Sequence, residues 1–160
     1  NMSLLYKEPV KRVEKVLKDF DQSLEVVILE NSARTAKDAA TALDCNVGAI
    51  VKSLLFKTDD GFILCLVAGD KRCSLNKLKK TKDKKDISMA SLEDVKTQTG
   101  YTIGGVSPVG HLNRIEIFID KSLERFSDLY AAAGHPNCVF KINFKNLRKI
   151  TNGKVEDIIE

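Results

Sequence analysis

The sequence predicts an α/β fold of the α+β type, a mixed, largely antiparallel or barrel-like β-sheet surrounded by helices. Two apolar runs, Ile50 to Phe56 and Phe62 to Ala68, flank a short segment containing Asp59, Asp60 and Gly61, which is the pattern of a hairpin. The last third of the chain is mostly short extended candidates. Regular alternation of strand and helix, which a parallel sheet would require, is missing.

Taken in order, Asn1 ahead of Met2 reads as an added residue, with Met2 as the native start. Val10, Val13, Val16, Leu17 and Phe20 recur at helical spacing between Pro9 and Asp21, so a proline-opened amphipathic helix is expected there. Leu24 to Leu29 is β-branched and short enough for a strand, and Thr35 to Leu43 is an alanine-rich helix bounded by Asp44 and Gly48. After the hairpin, whose second run is apolar throughout and should be a central strand covered on both faces, Ser74 caps a short basic helix through Leu75 and Leu78. Ile87 to Met89 is a brief strand, and Ser91 caps a further helix that Gly100 stops. Ile115, Ile117 and Ile119 alternate with Glu116, Phe118 and Asp120 in a strand; Leu129 to Ala133 and Cys138 to Phe144 are also extended. A last helix from Lys145 to Ile150 ends near Gly153.

Composition narrows the class. One domain over residues 2–160 is expected, because 160 residues suit one compact core, and 43% hydrophobic with 30% charged residues predicts a soluble globule. No apolar run is long enough for a membrane span and no signal-peptide core opens the chain, so no membrane partner is expected and the predicted location is cytoplasmic. Four cysteines without C-x-x-C spacing suggest neither a zinc site nor a disulfide framework, and no cofactor is implied. Net charge is +4 but unevenly spread. Eight basic residues and one acid between Lys71 and Lys85 give +7, whereas 18 basic and 21 acidic residues elsewhere give −3. A polyanion docked on one side would fit this pattern, with Lys71, Arg72, Lys77, Lys79 and Lys80 as its contacts; a solvated lysine-rich helix has the same composition. A generic single-stranded nucleic-acid binder would need stacking aromatics, and aromatic residues make up only 6% of the chain, none of them tryptophan.

Two features carry chemistry. Lys52 falls on the same face of its strand as Ile50, Leu54 and Phe56, so its ammonium either reaches an edge or lines a polar pocket, whereas Ser53 points the other way. Gly100 to Gly110 holds four glycines and Pro108, a density that suits a loop presenting its own N–H and C=O groups, or a tight turn between strands. It has neither a Walker sequence nor G-x-G-x-x-G. His111 and His135 each follow a glycine, and no G-x-S-x-G elbow accompanies them, so a conventional Ser/His or Cys/His nucleophile is not indicated.

In combination, Ile50-Val51-Lys52-Ser53-Leu54, the two-strand unit, and Gly104-Gly105-Val106-Ser107-Pro108 resemble the YbaK/ProX family of aminoacyl-tRNA deacylases, the editing domain associated with prolyl-tRNA synthetase. The helix from Arg34 to Ala40 and the Ala133-Gly134-His135 turn extend the resemblance over nearly all of Met2 to Glu160. The resemblance implies a free-standing trans-editing factor that hydrolyses the ester of a mischarged tRNA, often tRNA for proline carrying a small amino acid. Its partners would be the aminoacyl-tRNA acceptor end and prolyl-tRNA synthetase. It implies Lys52 as the essential polar residue and the Gly104 to Pro108 loop as the pocket wall, with Gly134 and His135 beside the substrate. It also implies attack assisted by the substrate without a protein nucleophile, since an activated ester needs chiefly positioning and carbonyl polarisation. The other class that fits is a non-catalytic module of the same fold that binds aminoacyl-tRNA or a free amino acid.

Overall fold

The computed structural model describes residues 2–160; Asn1, read above as an added residue, lies outside them. After a 3-10 turn at Met2–Tyr6, the helical spacing of valines gives α1 (Glu8–Phe20), which buries Val10, Val13 and Leu17 and carries its proline in the first turn. Only Val27–Ile28 of the Leu24 to Leu29 run pairs as a strand, β1, against β7 (Cys138–Ile142). Helix α2 (Ala36–Leu43) starts where Thr35 accepts the N–H of Asp38 and ends at Asp44, which takes a left-handed conformation.

The hairpin is the backbone of the molecule. Strands β2 (Ile50–Lys57) and β3 (Phe62–Ala68) pair antiparallel from Val51 to Lys57 and along the whole of β3, with Lys52 opposite Val67. Residues 63–68 are all buried, because β3 is flanked by β2 and by β5 (Glu116–Asp120) and covered on both faces. Helix α3 (Leu75–Lys82) follows its Ser74 cap, β4 (Ser88–Met89) pairs the far end of β2, and α4 (Leu92–Thr99) runs from its Ser91 cap to Gly100. After β6 (Leu129–Ala132), β7 stops at Ile142. Phe144, expected at the end of that strand, instead opens α5 (Phe144–Thr151), since Asn143 caps the helix by accepting the N–H of Asn146. A short polar strand with no sequence signal, β8 (Lys154–Glu156), then pairs parallel with β5.

Together these strands form one open mixed sheet in the order β1-β7-β6-β2-β3-β5-β8, with β4 added beside β2. Four of its pairings are antiparallel and three parallel, as expected for a mixed sheet; of the two shapes the sequence allowed, the sheet takes the open one. Its larger core holds Leu55, Leu64, Leu66, Ile119 and Phe140 with the apolar stripe of α1; the opposite face buries Phe56, Cys65, Val67 and Phe118 beside Leu78 of α3. One irregularity positions the site. Strand β2 pairs β6 only at Ile50 and Val51 and pairs β4 only at Phe56 and Lys57, so the edge at residues 52–54 has no strand opposite it. Among the described residues no helix is long and apolar enough to cross a membrane.

Candidate active site

A cavity of about 240 Å³ opens at that gap. Its floor is β2 from Ile50 to Leu54; α2 contributes Ala36 and Ala39, β6 and β7 contribute Tyr130, Ala131, Cys138 and Val139, and the glycine loop contributes Ile103, Gly104 and Val106. Small alanine and glycine side chains leave the space, and the branched ones make it apolar.

Lys52 lies at the floor of the cavity and is one of two cations that line it; the other, Arg34, is at its mouth. The Lys52 Nζ donates to the carbonyl of Lys71 at 2.5 Å, which directs the side chain and leaves ammonium protons free for a ligand. Burial holds its pKa below the usual lysine value; Asp70 and Cys73 act against that shift, and Arg72 adds to it. Asp70 does not pair with Lys52, because the Arg125 guanidinium grips both of its carboxylate oxygens at 2.8 and 3.0 Å. The lysine is therefore tethered by a dipole, and its charge is not cancelled.

The loop walls the cavity with main chain. Gly104 has φ +82°, open to glycine at no steric cost. Behind it, the Gly134 N–H donates to the Gly105 carbonyl at 3.1 Å, and a side chain at Gly105 would begin 2.9 Å from the His135 nitrogen, so bare backbone is required there. Tyr101, almost wholly buried, closes the loop by donating to the carbonyls of Val109 at 2.7 Å and Gly110 at 3.1 Å. The Arg12 guanidinium lies 4.9 Å from the centre of the Tyr101 ring and also donates to the Gly110 carbonyl.

The candidate residues separate by position. Lys52, Gly104 and Val106 line one cavity. Gly105, Ser107, Pro108 and Gly134 do not line it. Gly105 and Gly134 support the loop from behind; Pro108 is buried, and Ser107 is buried with its hydroxyl accepting the Val109 N–H. His135 lies in an adjoining recess, and His111 is packed edge-on to Tyr101 and donates to the Ser107 carbonyl. On the basic segment, Lys77 pairs with Asp157, Lys82 with Glu116, and Lys84 with Asp59 and Asp60. Lys71, Arg72, Lys79 and Lys80 have no carboxylate partner among the described residues, so the surface free to meet an anion is smaller than the run of charge suggests.

Strand alternation misjudges Ser53. It does lie on the opposite face from Lys52, yet it lines the same cavity, because the cavity opens at the strand's free edge and meets both faces. Its Oγ is buried without a hydrogen-bond partner. Only the lengths of the β2–β6 and β2–β4 pairings reveal this. Neither histidine and no carboxylate lines the cavity, so Ser53 and Cys138 have no general base beside them there. Among the described residues no group of three His, Cys, Asp or Glu side chains is placed to hold a metal.

The family model for the aminoacyl-tRNA editing domain matches residues 30–150. The chain is 32% identical over 147 residues to YwhH of Bacillus subtilis (strain 168), an uncharacterized protein, with 91% of this chain and 93% of that one aligned. It is 26% identical over 125 residues to EbsC of Enterococcus faecalis, which carries the provisional name Cys-tRNA(Pro)/Cys-tRNA(Cys) deacylase; 78% of this chain and 76% of that protein are covered. Its fold superimposes with a TM-score of 0.90 on the crystal structure of a provisionally assigned trans-editing enzyme for prolyl tRNA synthetase, at 37% identity over 96% of this chain and 98% of that one. Every residue that lines the cavity, from Ala33 to Val139, falls inside the matched span. The chain belongs to the aminoacyl-tRNA editing domain family, whose members hydrolyse the ester of a mischarged tRNA.

Proposed function

We propose that this protein acts in trans, removing a small amino acid wrongly esterified to tRNA, with tRNA for proline as the adaptor. The observation that carries the reading is the pairing of Lys52 with the Gly104 backbone across one apolar cavity. An uncancelled ammonium beside bare main chain can hold the ester carbonyl and the negative charge that develops on its oxygen as water adds. Without a base beside Ser53 or Cys138, the attacking water takes its help from the substrate, through the neighbouring ribose hydroxyl. The cavity's modest size, about 240 Å³, suits a small aminoacyl group. The relatives named for Cys-tRNA(Pro) and for prolyl tRNA synthetase support tRNA for proline as the adaptor, with prolyl-tRNA synthetase as the enzyme whose errors are corrected. Lys71, Arg72, Lys79 and Lys80 would meet acceptor-stem phosphates.

The test is release of alanine, serine, cysteine and threonine from mischarged tRNAs by wild type and Lys52→Ala. Wild type should act on at least one of them, with the variant slower by about 10² to 10³, the usual loss of one electrostatic donor. Equal rates would remove Lys52 from the mechanism; no release by wild type from any of them would leave a binding module.

A further inference from the structure

Next to the cavity lies a second, more open recess. The two share Arg34, Ile103 and Pro136, and the recess adds Ser32, Thr102, His135 and Asn137. No carboxylate lines either one. Arg34 sits at the boundary with its stem against the loop; a side chain at Gly104 would begin 3.0 Å from its Cγ. Its guanidinium is exposed and has no hydrogen bond or ion pair among the described residues, in contrast to Arg12, Arg125, Lys77, Lys82 and Lys84, which all have carboxylate partners.

His135 lines the recess beside Arg34, and a further cation acts on its ring. Lys7, exposed and also without a carboxylate partner among the described residues, does not line the recess, but its charge and that of Arg34 both disfavour protonation of the His135 ring, adding to the larger effect of burial. His135 Nδ1 accepts the Asn137 N–H at 3.0 Å, which places the proton of the neutral ring on Nε2, as a donor. One cation and an N–H donor lining a recess without a carboxylate, with a second cation acting on the ring from outside, form a site for an anion.

An ester seated beside Lys52 belongs to the terminal ribose of an RNA, and the RNA must leave the cavity through its mouth. We propose that the recess binds the phosphodiester joining the terminal nucleotide of the substrate to the one before it, with Arg34 as principal ligand, assisted by Lys7 and the His135 Nε2–H. This rests on the editing reading above. It gives the RNA end its own anchor, separate from the basic segment around α3.

The recess is tested by comparing a substrate with no phosphodiester, a 3′-aminoacyl adenosine, with the same ester on cytidylyl-(3′,5′)-adenosine and on whole tRNA. Wild type should favour the dinucleotide over the nucleoside in kcat/KM by about tenfold or more, the worth of a charged hydrogen bond. Arg34→Ala should lose that gain on dinucleotide and tRNA while leaving the adenosine ester within about twofold, Arg34→Lys should keep part of it, and Lys7→Ala should show the same pattern more weakly. An equal loss on all three substrates would make Arg34 a support for the Gly104 loop and overturn the proposal, as would no loss on any. Binding of the dinucleotide without its aminoacyl group, compared with binding of adenosine, separates the two readings. If wild type cleaves no ester yet prefers the dinucleotide, and Arg34→Ala abolishes the preference, the recess stands and the editing reading fails; no preference in wild type overturns the recess.

Discussion

A lysine held by a carbonyl behaves differently from one held by a carboxylate: it is aimed, yet its full charge is available to whatever enters. Lys52 reaches this state because Arg125 occupies Asp70, the carboxylate whose charge acts on it. Buried single groups also set the pH response. The Tyr101 hydroxyl is pushed up to about 12, chiefly by burial, with Arg12 acting in the other direction. In the unfolded chain it titrates near 10. A group whose folded value is the higher one stabilises fully below the unfolded value and ceases to do so as pH rises through the folded one. Tyr101 should therefore make the protein lose stability between about pH 10 and 12, and Tyr101→Phe should show a shallower fall over that window in urea midpoints. At neutral pH the same variant should cost about 1 to 3 kcal/mol, because the buried Val109 carbonyl loses its donor.

At the scale of elements, caps and runs were the readable part. Thr35, Ser74 and Ser91 each accept an N–H three residues on, and each marks its helix where the sequence places it. The β2–β3 hairpin was equally plain, since seven successive apolar residues need cover on two sides. Phe144 was misread because a cap at Asn143 outweighs the apolar run before it, and β8 escaped because three half-exposed residues gain their strand only from the edge of β5. Of the site, Lys52 and Gly104 could be read from strand parity and glycine density. Ser53, Arg34 and Lys7 could not, because their placement depends on where pairings stop and on which acids are already taken. The same applies to α3, where Lys77 is claimed by an aspartate eighty residues away. If the remaining charges of that segment meet RNA, Lys79→Glu with Lys80→Glu should flatten the dependence of tRNA affinity on salt, whereas Lys77→Ala should change it less. Affinity titrations at several salt concentrations decide; an unchanged slope in the double variant clears the segment of a docking role.

Across the whole molecule, the end of the chain supports the centre. Ile158 is fully buried, its N–H donates to the buried Asp120 carboxylate at 2.9 Å, and its carbonyl accepts the Ser74 N–H at 2.7 Å. Glu160 donates to the Arg72 carbonyl, so the last residues brace the stretch from which Lys71 tethers Lys52. Ile158→Ala should cost about 2 to 5 kcal/mol by cavity formation. It should also lower kcat for ester release more than it raises KM, although the residue lies outside the site; thermal unfolding and steady-state kinetics check the two parts. A stable, fully active variant would show that the brace is dispensable.

The interrupted edge of β2 has a practical bearing on how such a protein can be dissected. Where a ligand is met by idle peptide groups of an incomplete ladder and by a loop of residues lacking side chains, truncating side chains one at a time leaves much of the recognising surface intact. Alanine scanning will then understate what the cavity contributes, and the missing share will emerge only from changes that alter the main chain itself, such as proline or an ester in place of an amide at residues 52–54.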